Sequence, residues 1–189
     1  MNRREAIYSV SLMIGGTITG AEFFLSGCMS NSEEIAELFT EDNIFFLNEV
    51  AETILPETLT PGAKAADVGR FMTLMIKDCY TLEEQKIFIR GILQLDDLSR
   101  RIFGKKFTET STEQKSELLT GLDKEQKDYS KNKKAEDPNH YFKMMKELTL
   151  LGYFTSEIGC TKALRYVPVP GKFDGCIEYK KGDRGWALS

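Results

Sequence analysis

The chain has 189 residues, enough for one domain with a proper core, and its 41% hydrophobic and 29% charged residues suit a globular protein rather than a disordered or membrane-spanning one. A formal net charge of -4 argues against a general nucleic-acid binder, which would carry a basic excess or stripe. The one Lys-rich patch, Lys131 to Lys134, is interleaved with Asp128, Glu136 and Asp137 and reads as a solvated loop or helix end.

The first 27 residues read as an export signal, to be left out of the fold. Arg3 and Arg4 open it, a mostly apolar run from Ile7 to Leu25 follows, and Leu25-Ser26-Gly27-Cys28 closes it. Gly15, Gly16, Gly20 and Glu22 interrupt the run and make it a poor spanning helix. Leu-Ser-Gly-Cys resembles a bacterial lipobox, which would make Cys28 the diacylated first residue of the mature chain. Arg3-Arg4 resembles a twin-arginine signal, although Asn2 and Ala6 depart from the usual context and leave general, unfolded-chain export open. An ordinary cysteine in a cleaved peptide and an uncleaved anchor are the other readings of this end. Residues 28–41 would then be a polar tether and residues 42–189 the folded domain.

Helical signals follow one another through that domain. Asp42 to Glu57 places Ile44, Phe45, Leu47, Val50, Ala51, Ile54 and Leu55 on a broad apolar face, with Asp42 as cap and Pro56 as terminator. After the Thr60-Pro61-Gly62 turn, a second helix is expected over Ala65 to Tyr80, burying Val68, Phe71, Met72, Leu74, Met75 and Cys79. Thr81-Leu82-Glu83-Glu84 is a capping box that starts a third helix, stopped by Gly104 after Phe103. Its apolar series is Phe88, Ile92, Leu95, Leu98 and Ile102, with Arg100 and Arg101 in the last turn.

Ser111 with Gln114 repeats the capping signal. It predicts a polar fourth helix through Leu118, Leu119 and Leu122 towards Tyr129. Asp137-Pro138 reads as an N-cap with proline at the first position of a fifth helix. That helix carries Tyr141, Phe142, Met144, Met145, Leu148 and Leu151 to a stop at Gly152, and Thr155 and Ser156 can cap a further short helix. Pro168 and Pro170 then forbid regular structure, with turns at Gly171 and Gly175. No alternating segment is long enough for a strand. The expected fold is all-α: a single domain of about five helices plus a short helix and an irregular Pro/Gly-containing C-terminal arm.

Chemistry-bearing patterns are scarce. His140 is the only histidine and cannot make an HExxH zinc site alone; a structural role fits it better than catalysis. No GxGxxG, P-loop or CxxCH motif is present, and the acidic pairs Glu83-Glu84 and Asp96-Asp97 sit in helices, where a solvated face is the default. Catalytic, cofactor-binding and metal residues are therefore expected to be none. Cys79, Cys160 and Cys176 lack the clustered spacing of an iron–sulfur site. The aromatic series Tyr153, Phe154, Tyr166 and Phe173, with Leu164, Pro168 and Pro170 beside it, reads either as core packing or as the anchors of a protein interface.

The segments Gly152–Gly159 (GYFTSEIG), Leu164–Gly171 (LRYVPVPG) and Asp174–Cys176 (DGC) carry a resemblance. So do Pro61-Gly62-Ala63-Lys64, Asp78-Cys79-Tyr80 and Gly104-Lys105-Lys106-Phe107. In this order they resemble the gluconate 2-dehydrogenase subunit 3 family. The resemblance implies a non-catalytic accessory subunit on the periplasmic side of the envelope, lipid-anchored to the membrane. The implied partner is a large FAD-dependent dehydrogenase of the glucose-methanol-choline type, with a cytochrome c subunit as a further partner and no cofactor in this chain. Because Cys79 and Cys176 fall within family-like pieces, the resemblance points to a disulfide between them. Cys160 with Cys176, or three buried thiols, are the alternatives. From another functional class, a free-standing envelope lipoprotein acting as a scaffold or binding module remains a competing expectation.

Overall fold

The computed structural model describes residues 40–169, 171–172 and 175–187. The expected signal, with Arg3, Arg4 and Cys28, and most of the tether lie outside the described residues. So do Pro170 and Phe173.

Among the described residues the fold is all-α. Helix α1 spans Glu41–Ile54, α2 Val68–Cys79, α3 Leu82–Phe103, α4 Thr112–Asn132 and α5 Tyr141–Thr155. A short 3-10 turn, Phe107–Glu109, joins α3 to α4, and a π-helical turn, Gly159–Ala163, follows α5. The cap of α1 is Thr40, one of whose oxygens accepts from the Asn43 backbone N–H, rather than Asp42, which lies in the first turn. Both expected capping boxes are present: Thr81 with Glu84 at α3, and Ser111 with Gln114 at α4. Gly104 ends α3 at φ 71°, a left-handed conformation that a side chain would strain.

Helix α5 packs against each of the other four helices. Its sequence explains why: Tyr141, Phe142, Met144, Met145, Leu148, Thr149, Gly152 and Tyr153 are all buried, covering most of its circumference rather than one stripe. Three sequence expectations fail here. Gly152 does not stop α5 but lies inside it, where an added methyl would come within 2.6 Å of the Phe71 ring of α2. Asp137 does not cap α5; its carboxylate accepts from the Lys134 N–H in the preceding loop, and His140 is the cap. Leu151 faces solvent.

The apolar faces of α1 to α3 are each rotated slightly from the expected ones. Phe46 replaces Phe45 in the core, its ring tilted by 52° against that of Phe107 in the 3-10 turn with centres 5.4 Å apart, while Phe45 lies outside beneath Lys64. In α2 the buried residues include Thr73 and Ile76, and Leu74 and Cys79 are exposed. In α3 Ile102 is exposed. Polar pins hold the helices in register. The amide of Asn48 bridges α1 to Asp67 and to the Gly69 N–H at the start of α2. Gln85 donates to the carbonyls of Ile76, Lys77 and Tyr80, closing the end of α2 from α3. Glu49 of α1 accepts from Lys64 in the α1–α2 loop and from Lys115 of α4, the latter at 2.6 Å.

Candidate partner interface

Where α5 ends, the backbone has carbonyls without helical partners, and the next residues satisfy them. The Ser156 N–H and hydroxyl both donate to the Tyr153 carbonyl, and the same hydroxyl accepts from the Gly159 N–H. Gly159 lies so close to the Tyr153 carbonyl that no side chain fits there. The π turn follows, its Leu164 N–H reaching back to the Gly159 carbonyl at 2.9 Å. Thus Ser156 does act at a helix start, as the sequence suggests, but the helix is a single widened turn.

Beyond it the chain runs extended, and its last described residues return to it. Arg165 donates its backbone N–H to the Gly185 carbonyl at 2.8 Å and accepts from the Ala187 N–H at 2.9 Å, one rung of a parallel ladder. Its guanidinium pairs with Asp183 at 3.1 Å and lies 5.4 Å from the centre of the Trp186 ring. Arg184 donates to the Lys162 carbonyl at 2.6 Å, placing a cation at the C-terminal end of the π turn, where the turn's dipole favours it. The N–H of Lys180 holds Asp183, and together with Arg165 it keeps that carboxyl below its ordinary pKa.

This geometry divides the proposed interface residues. Tyr153 is not part of a surface: it is 4% exposed, and its hydroxyl donates to the Pro61 carbonyl at 2.6 Å, locking α5 to the α1–α2 loop. Phe154, 38% exposed, packs edge-on against it. Tyr166 is 45% exposed, Pro168 is exposed and Leu164 is half-buried beside Gly185. The arm also exposes Val167, Val169, Ile177, Tyr179 and Trp186, which the sequence reading did not select. Trp186 was findable: it is the only tryptophan and sits in a Gly-Asp-Arg-Gly-Trp run whose charges suggest a turn.

The structure holds Cys79 and Cys160 as thiols, unlike the expected pairings with Cys176. The Cys79 thiol lies 4.0 Å from the Met75 sulfur one turn earlier, and the Cys160 thiol donates to the Phe154 carbonyl at 3.2 Å. The Cys79 contact lies within its own helix, whereas that of Cys160 reaches back to the end of α5.

An open cleft of about 540 Å³ lies between α3, α4 and the α4–α5 loop. Leu98, Arg101, Glu125, Tyr129, His140 and Tyr141 line it among others. The His140 Nδ1 accepts from the Phe142 N–H, so its other nitrogen, 3.7 Å from Glu125, carries the proton. Burial pushes this imidazole below its ordinary pKa against the opposing pull of Glu125, and pushes the Tyr141 phenol up to about 12. Among the described residues no group of His, Cys, Asp and Glu is arranged to hold a metal, and no helix is long and apolar enough to cross a membrane.

Five helices with an extended arm that presents aromatic and aliphatic side chains to solvent define a small all-α protein. A family model, described as gluconate 2-dehydrogenase subunit 3, matches residues 41–171, all five helices, the π turn and the start of the arm. The chain belongs to the gluconate 2-dehydrogenase subunit 3 family. Comparison with curated proteins and with solved structures gave no match.

Proposed function

We propose that the chain is the non-catalytic accessory subunit of a membrane-attached, FAD-dependent sugar or polyol dehydrogenase of the glucose-methanol-choline type. The observation that carries this reading is the family match over residues 41–171. The exposed Phe154, Tyr166, Val167 and Val169 support it, because exposed aromatic and aliphatic side chains are what a partner surface desolvates.

In this reading the catalytic subunit holds the FAD and carries out the oxidation, and the electrons pass on to a cytochrome or a quinone. The small subunit assists export and maturation. A twin-arginine signal at Arg3-Arg4 would carry a partner already folded around its flavin across the membrane, and lipid on Cys28 would tether the pair at the periplasmic face.

The test is gentle detergent purification of the tagged full-length chain from native membranes, with mass spectrometry and visible absorption of the eluate. A stoichiometric large flavoprotein, absent from the envelope when Arg3 and Arg4 are both changed to lysine, supports the reading. A lipidated chain that elutes alone and without flavin contradicts it and favours the free-standing lipoprotein.

A further inference from the structure

Residues 180–187 hold to the arm in an uncommon way. They place both backbone bonds of one parallel rung, a carboxylate, a tryptophan ring and a second arginine on the short stretch from Thr161 to Arg165. Yet no residue described in this returning segment is buried. A segment held, among the described residues, by surface hydrogen bonds, one part-exposed ion pair and one cation–π contact is exchangeable, because each such contact contributes little in water. The family match ends at residue 171, before the segment begins. The matched part therefore presents an edge, and the unmatched part occupies it.

We propose that Arg165 and the π turn form a docking edge for an extended peptide segment of another protein, and that residues 183–187 fill this edge as an internal stand-in. The stand-in shows what the edge recognises. One requirement is backbone running parallel to the arm, with a carbonyl to accept from the Arg165 N–H and an N–H to donate to its carbonyl. The second is a carboxylate for the guanidinium, and the third an aromatic ring three residues further on to lie against it, as Asp183 and Trp186 do. A segment of the dehydrogenase subunit with an acid and an aromatic residue so spaced would displace the stand-in. That identity of the partner, though not the edge itself, rests on the function proposed above.

The experiment uses the full-length chain carrying Asp183→Asn and Trp186→Phe, which weakens the stand-in and removes the only tryptophan. A synthetic peptide of residues 181–187 is then the sole tryptophan emitter, and protein is titrated onto it while emission anisotropy is followed. The expected result is a saturable rise with half-saturation at about 1 mM or below, weakened about fivefold when the peptide's aspartate is asparagine. Adding Arg165→Gln to the protein should abolish the rise. In the otherwise unchanged chain, Arg165→Gln alone should make Trp186 as open to acrylamide quenching as the tryptophan of the peptide.

Absence of a saturable rise, or equal binding with Arg165→Gln, overturns the docking edge even if quenching shows the stand-in to open. Such a failure leaves the membrane co-purification result untouched. Conversely, peptide binding by a chain that never brings a flavoprotein from membranes upholds the edge and removes the dehydrogenase as its partner.

Discussion

Glu49 is a doubly paired carboxylate, accepting from Lys64 and from Lys115, whose own side chain is largely buried. Burial alone would raise its pKa, but the two lysines outweigh that and hold it below its ordinary 4.5. A depressed folded pKa means stability that is present above 4.5 and is lost as pH falls through the folded value. Glu49→Ala should cost about 2 kcal/mol in urea unfolding at neutral pH, because it leaves the largely buried Lys115 without its partner, and should flatten the acid limb of the stability curve. His140 titrates in a different window. Burial lowers its pKa despite Glu125, so its contribution is complete above 6.5 and declines as pH falls through the folded value. Protonating Nδ1 also removes the acceptor that caps α5. His140→Asn, which can still cap, should lose less stability than the native chain between about pH 7 and about pH 5, measured by the same unfolding curves. Tyr153→Phe deletes the hydroxyl that holds the Pro61 carbonyl and should cost about 1 kcal/mol, with no effect on partner recovery.

At the scale of the elements, the central position of α5 depends on close approach. Gly152→Val would drive a branched side chain into the Phe71 ring and should lower the urea midpoint by the equivalent of about 2 kcal/mol, while helicity by circular dichroism is kept. The same position shows where sequence reasoning runs out. Capping boxes are local, so Thr81 with Glu84 and Ser111 with Gln114 could be read directly, and the starts of α3 and α4 were legible. Which of two adjacent apolar residues turns inward is decided by neighbours distant in sequence. Phe45 and Phe46 are indistinguishable by type, and only the Phe107 ring settles that Phe46 is inside. Gly152 reads as a stop from its type alone, and only Phe71 gives it a reason to be within a helix. Asp137-Pro138 likewise has the composition of an N-cap, but the loop uses the aspartate for its own Lys134 N–H.

For the whole molecule, the all-α class and the order of helices follow from periodicity, caps and breakers, and the described residues agree. The candidate interface was legible only in outline. A run of aromatic residues that ends a helix does not reveal which rings turn back into the core. Tyr153 does, because its hydroxyl finds a carbonyl 92 residues away in sequence, whereas Phe154 and Tyr166 remain outside. The returning segment with Trp186 depends on a single long-range rung, which has no sequence period to announce it. The central claim is that these outward side chains join the chain to a catalytic flavoprotein. Its most direct test is the amount of flavoprotein recovered per mole of tagged chain from native membranes, compared among the native protein, Tyr153→Phe and the double variant Phe154→Ala, Tyr166→Ala. The account predicts equal recovery for the native protein and Tyr153→Phe, and at least about a tenfold fall for the double variant, in keeping with aromatic anchors at an interface. Full recovery with the double variant at normal abundance of the chain, or no flavoprotein with the native protein, would contradict it.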